Sequence, residues 1–359
     1  MRVELRTPMS ILPLWVNSQV PVVGRWSPVA PKYLVWKHNP FGLLGRSFTQ
    51  FVDRVQWTND LLGLRLVRDG SGFISDTESI VWPQNLVSLE LGNLFDQSLS
   101  EFQWPQTLKS LTFGKYFTQS LTATVLPDRL EKLVLGEFFN EPIVNVVFPR
   151  FLKSLIFGDG FNCELNGTNL PDSLETFILG AEFDQPIDGV AWPKSLKKLW
   201  FKSTSHVIGF CQPLTNVKFP DSLEDLDLGQ SFMGPVKGVR WRGLKRLKLG
   251  NSFTFPIDDV EWSSSLENLD LGDDFDYPPV KLPNSLRILR LGLCTPILDV
   301  VWPYSLEEIR FGVHFDQSII GVKWPRNLRL LAFGPRFSED LTTFDIDIPD
   351  SVEIMRTFD

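Results

Sequence analysis

A segment of the form Trp/Leu/Phe-Pro-x-x-Leu-x-x-Leu-x-Leu/Phe-Gly-x-x-Phe returns about every 22 residues from Trp57 to the end of this chain. Clear copies begin at Trp82, Trp104, Leu126, Phe148, Leu170 and Trp192, and again, after a small insertion, at Phe219, Trp241, Trp262, Leu282, Trp302 and Trp324. A fixed period makes each unit pack mainly on its two sequence neighbours. The chain is therefore expected to stack into a solenoid and to present its function on a stacked surface rather than in a pocket between lobes.

Within a unit, Leu86, Leu89 and Leu91 end in strict alternation, which suits a short strand with Leu inward, so each unit adds one rung to a parallel sheet. The Gly that follows, as at Gly92, Gly114 and Gly136, fits a corner that needs either positive φ or a close backbone approach. Three residues on, Phe95, Phe117, Phe139, Phe161, Phe183, Phe232, Phe253, Phe275, Phe315 and Phe337 form an aromatic spine inside the stack. The second half of each unit, as in Pro186-Ile187-x-x-Val190-x-Trp192-Pro193, carries Pro and too few residues for a useful helix, so the back wall is extended. Rungs of a sheet lie about 4.8 Å apart and packed helices about 8–10 Å, so a back wall without helices implies a weakly curved, twisted stack. The expected divisions are an N-terminal cap over 1–35, a partial first repeat over 36–56, thirteen repeats over 57–347 and a truncated last repeat over 348–359.

On these residues the chain resembles the FNIP-type leucine-rich repeat family. Phe139-Asn140-Glu141-Pro142-Ile143 carries the Phe-Asn-x-Pro-Ile core, with variants at Phe183-Asp184-Gln185-Pro186-Ile187, Phe253-Thr254-Phe255-Pro256-Ile257 and Phe315-Asp316-Gln317-Ser318-Ile319. The resemblance covers roughly 45–359. It implies a β-rich leucine-rich-repeat solenoid, one parallel sheet with a non-helical back wall, acting as a protein-binding module, with a viral or protist source. Its partner would be another protein of unknown identity.

Composition narrows the alternatives. Aromatic residues make up 13% of the chain and recur at fixed positions, as a continuous core requires, and the net charge of −8 lacks the basic stripe of a nucleic-acid binder. Cys163, Cys211 and Cys294 are odd in number and far apart, and read as buried free thiols in a reducing, cytoplasmic compartment. No stretch suits a signal peptide or a membrane span. His38, His206 and His314 fall in different units, and no Gly-rich phosphate loop follows a strand, so no catalytic, metal or cofactor site is expected. A remote alternative is a carbohydrate-active β-helix-like enzyme, in which Asp225, Asp227, Lys248 and Asp270 would share one sheet face.

Two outward columns remain. The residue after the first Leu of each strand reads Lys109, Glu131, Lys153, Glu175, Lys197, Glu224, Lys245, Glu267, Arg287, Glu307, Arg329, Glu353, alternating in sign throughout. In parallel stacking this is an ionic ladder that sets the register, since a slip by one repeat would bring like charges together. Three residues further along, Val134, Ile156, Ile178 and Trp200 form an apolar strip on the outward face, joined by Lys198, Asp227 and Lys248 as a polar rim. This strip is the candidate partner surface; the rival reading is strand propensity alone, or cover from the 203–210 insertion. A last repeat that stops soon after its strand also suggests self-association through the C-terminal end.

Overall fold

Three four-residue turns close a typical rung, and they explain the repeat's three signatures. Leu130 N–H donates to Pro127 C=O at 3.0 Å, Phe139 N–H to Gly136 C=O at 3.2 Å, and Val146 N–H to Ile143 C=O at 3.1 Å. Pro-x-x-Leu, Gly-x-x-Phe and Ile-x-x-Val are thus the first and last residues of successive β-turns. The computed structural model describes residues 2–7, 10–15, 33–37, 61–67, 82–100, 102–204, 207–279, 281–341, 346 and 348–356. The expected boundaries at 56 and 57, His38 and His206 lie outside the described residues.

The chain divides into two units, Met1–Thr176 and Phe177–Asp359. In the first, β1 (Arg2–Thr7) pairs antiparallel with both β2 (Ser10–Trp15) and β3 (Tyr33–Lys37). From β3 onward the pairing is parallel, through β4 (Gly63–Val67), β5 (Ser88–Glu90), β6 (Ser110–Thr112), β7 (Lys132–Val134) and β8 (Ser154–Ile156). The parallel sheet expected of the repeats thus runs from β3 onward, and the antiparallel pairings are confined to β1, ahead of the repeats. β9 (Thr176–Leu179) begins at the last residue of this unit.

In the second unit β10 (Lys198–Phe201), β11 (Asp225–Asp227), β12 (Arg246–Lys248), β13 (Asn268–Asp270), β14 (Ile288–Leu291), β15 (Glu308–Phe311), β16 (Leu330–Phe333) and β17 (Glu353–Arg356) each pair parallel with the next. The described residues contain no helix, so the fold is a leucine-rich-repeat stack with an extended back wall.

The spine lies in the core. In the first unit Phe95, Phe117, Phe139 and Phe161 are fully buried, with successive centroids 6.0, 6.0 and 6.2 Å apart. In the second, the rung with the insertion returns to the spine through Phe210, stacked on Phe183 at 6.3 Å and on Phe232 at 6.1 Å. Near Cys294, where the spine Phe is missing, Leu293 is buried instead, at the left-handed φ of 73°. That rung is two residues short, and the strained backbone keeps an apolar side chain in the core.

Candidate functional site

The middle residue of every strand from β5 to β16 is buried, and in β5 to β14 both its neighbours are half-buried or exposed on the outward face. Register comes from the backbone just before each strand. Lys109 C=O accepts from Glu131 N–H at 2.8 Å and from Lys132 N–H at 2.9 Å, and Glu224 C=O likewise accepts from Lys245 and Arg246 N–H at 2.8 and 2.9 Å. The charged column therefore sits where adjacent rungs are tied most closely.

In the first unit Glu131 pairs with Lys109 at 2.8 Å and with Lys153 at 3.1 Å. In the second, Lys245 reaches Glu224 at 3.1 Å, Arg287 reaches Glu307 at 2.9 Å and Glu267 at 3.9 Å, and Arg329 reaches Glu307 at 3.7 Å. Glu175 and Lys197 belong to different units. In β17 the pairing places Glu353 opposite Leu330, and among the described residues no ion pair joins it to Arg329. Hydrogen bonds from Lys109 and Lys153 hold the Glu131 carboxyl below the ordinary carboxylate range. A depressed carboxylate stabilises at neutral pH and loses its contribution as pH falls through its folded pKa. Glu131→Lys is expected to cost about 1 kcal/mol or less, the side chains being part-exposed, and to lose most of that cost in high salt. A urea midpoint shift of equal size at low and high salt would remove the ladder reading.

Val134 and Ile156 lie outward on β7 and β8 of the first unit, Ile178 and Trp200 outward in the second, and all four are half-buried rather than fully exposed. Trp200 is held between cations: Lys198 Nζ lies 3.7 Å from the ring centroid and Arg246 Cζ 5.4 Å. Such contacts are worth about 0.5–1 kcal/mol at exposed sites and more where desolvated. Its indole Nε1 is buried with no hydrogen-bond partner among the described residues.

From Trp200 the face continues as an ionic lattice. Asp225 takes Arg246 at 2.7 Å and Lys198 at 3.8 Å; Asp227 takes Lys248 at 3.5 Å, Arg246 at 3.9 Å and the Gly229 N–H at 3.0 Å. Asp270 accepts from Gly272 N–H at 3.0 Å and faces Arg290 at 3.4 Å, while Arg290 also grips Asp273 at 2.9 Å. Each of these carboxylates already has a cation, so none stands free as an acid or base.

Two columns escaped the sequence reading. Thr107, Ser173, Ser222, Ser285 and Ser305 donate their hydroxyls to the carbonyls of Leu86, Leu152, Leu196, Leu266 and Leu286 one rung back, at 2.8, 2.8, 2.7, 2.7 and 2.6 Å. Their signal was the recurrence of Ser or Thr two places after Pro. The Asn/Asp position of the Phe-Asn-x-Pro-Ile core accepts from the next rung's backbone: Thr118 N–H to Asp96 at 2.8 Å, Asn162 N–H to Asn140 at 2.8 Å, Cys211 N–H to Asp184 at 2.9 Å and Cys294 N–H to Asp276 at 2.7 Å. These groups satisfy amides that an extended back wall would otherwise leave unpaired.

The cysteines are free, but Cys163 and Cys211 are only half-buried and Cys294 is exposed, a correction to the buried thiols expected. Burial raises the Cys163 and Cys211 thiol pKa values, with Glu141 and Asp184 adding to it. Among the described residues no group of three or more His, Cys, Asp and Glu is placed to hold a metal ion, and no helix is long and apolar enough to cross a membrane.

Residues 77–116, 95–138, 117–160, 139–182 and 161–204 match the family model described as FNIP Repeat. Among solved structures, CroV588 from a giant virus, described as a novel circular LRR protein, is similar at a TM-score of 0.70 and 28% identity over 90% of this chain; the chain spans 49% of it. YopM from Yersinia enterocolitica (17% identity, TM-score 0.44, 84% of this chain and 65% of that one) and an internalin from Listeria monocytogenes (14%, 0.48, 86% and 87%) are more distantly similar. No curated protein matches.

Proposed function

For a chain whose residues 77–204 match the FNIP repeat and whose fold is similar to that of a leucine-rich-repeat protein, we propose a non-enzymatic scaffold that binds another protein along the outward face of its strands. The observation that carries this reading is Trp200, the one aromatic residue at the outward positions of β5 to β16, whose ring is held in place by Lys198 and Arg246. A pre-positioned Trp amid paired charges has the form of a binding hot spot with a polar rim. Asp227 and Lys248 belong to that rim, while Val134, Ile156 and Ile178 extend the apolar surface within their own units.

Trp200→Asp should weaken partner capture by roughly thirty-fold or more, the equivalent of about 2 kcal/mol at a hot spot, while Trp200→Phe retains most of it. Capture by the folded Trp200→Asp variant equal to wild type would sink the face reading.

A second reading, self-association through the C-terminal end, is favoured by β17. All four of its residues are exposed, including Ile354 at 40% and Met355 at 41%, and β16 is its only strand partner among the described residues. A strand with exposed apolar side chains and one strand partner among the described residues invites a further strand. Loss of self-association on removing 348–359, with partner capture intact, would favour this second reading. The carbohydrate-active alternative draws no support from Asp225, Asp227 and Asp270, which are committed to ion pairs and backbone amides.

A further inference from the structure

The Ile-x-x-Val turn of the back wall recurs from rung to rung, with residues such as Val144–Asn145, Lys237–Gly238 and Ile320–Gly321 at its tip. One rung places Asn before Gly at this tip, Asn166–Gly167, and this is the only Asn-Gly pair in the 359 residues. Both residues are exposed. The turn closes through Thr168 N–H donating to Leu165 C=O at 3.0 Å, and Gly167 has φ of 79°. Neither the Asn166 carboxamide nor the Gly167 N–H has a hydrogen-bond partner among the described residues. Even a Cβ at Gly167 would meet only Val144 Cγ2, at 3.4 Å.

We propose that Asn166 is a site of spontaneous deamidation through a succinimide. The Gly167 backbone nitrogen attacks Asn166 Cγ; the N–Cγ bond forms, the bond from Cγ to the amide nitrogen breaks, and the amide proton leaves with that nitrogen as ammonia. Water then opens the ring at one carbonyl to give aspartate, or at the other to give isoaspartate, in which the main chain runs through Cβ. No enzyme, oxidant or cofactor is required. A glycine at 167 matters because any side chain there would crowd the attacking nitrogen, and glycine alone takes this left-handed φ without strain.

The two products differ in consequence. Each adds one negative charge. Aspartate fits, since Asp188–Gly189 occupies the same turn position in another rung. Isoaspartate lengthens the backbone inside a turn closed by a 3.0 Å bond, and Thr168 beyond it is 4% exposed, its hydroxyl having no hydrogen-bond partner among the described residues. The buried end cannot shift to absorb the extra methylene, so this rung loosens first. The inference does not depend on the outward-face reading, because the turn lies on the back wall.

The test is to incubate the intact protein near neutral and at mildly alkaline pH, then digest it with a Glu-specific protease to release 165–175. The expected result is a time-dependent replacement of amide by acid at Asn166, as two chromatographically separate products of equal mass, faster at the higher pH. Asn169, which precedes Leu170 in the same peptide, is the internal control and should remain unchanged. Gly167→Ala should slow conversion several-fold, and Asn166→Gln should abolish it without relying on the strained glycine position. An unchanged peptide from the folded protein, alongside conversion in the urea-unfolded protein, would overturn the proposal. So would conversion persisting in Asn166→Gln.

Discussion

Replacing Gly136 by Ala should cost more than about 3 kcal/mol, beyond the usual range for overpacking. A Cβ built on Gly136 lies 2.0 Å from Gly114 O and 3.1 Å from both Gly114 C and Lys115 O. All three are backbone atoms of the preceding rung, so no side chain can swing away. The same contact recurs at Gly114 against Gly92 O and at Gly158 against Gly136 O, each at 2.1 Å. Relief would require the rungs to part, which breaks backbone bonds such as Glu131 N–H to Lys109 C=O at 2.8 Å. Of the two reasons for glycine at this corner, the structure of the first unit selects close approach, since none of these three glycines has positive φ. Gly238→Ala is the control. It has φ of 80° and nothing within 4 Å, so it should cost only the left-handed penalty of about 1–2 kcal/mol. Urea unfolding, with hydrogen exchange to locate the damage, compares the two; equal losses would mean that the rungs tolerate separation.

Phe139→Ala is expected to cost about 3–5 kcal/mol, the range for emptying a buried aromatic site. Phe139 is fully buried, stacked on Phe117 at 6.0 Å and 3° and on Phe161 at 6.2 Å and 14°, with Phe157 a further 6.2 Å away. A cavity here cannot collapse, because the rungs above and below are pinned by their own backbone ladders. The double variant with Phe117→Ala should depart from additivity by about 0.5–1.5 kcal/mol, the worth of an aromatic pair beyond its area. In a stack whose stability is a sum over neighbours, the loss should centre on the rungs of β6 to β8. A loss under about 1 kcal/mol for Phe139→Ala, or strict additivity with Phe117, would mean that the spine fills space without coupling the rungs.

Much of the architecture was legible because equal positions in successive units become neighbours. The strands centred on Leu89, Leu111 and Leu133, the spine from Phe95 to Phe161, the extended back wall and the Lys109–Glu131–Lys153 column all follow from the period. What the pattern could not convey was local. Phe210 takes the spine position of its rung although it comes later in the chain than the period places it, and Leu293 serves the core only through an uncommon φ. The antiparallel strands β1 and β2 lie where no repeat exists to predict them. Glu353 continues the ladder in the sequence, yet the pairing of β17 places it opposite Leu330.

The candidate face shows the same division. The period alone assigned Trp200, Lys198, Asp227 and Lys248 to outward positions, because alternation along a strand decides the side of the sheet. Only the tertiary structure decided how much of each side chain solvent meets. Rungs lie about 4.8 Å apart, so a side chain on one rung is covered or bared by the lengths and rotamers of those beside it. Lys198 and Arg246 therefore cover the Trp200 ring, a fact of three-dimensional reach that no single repeat encodes.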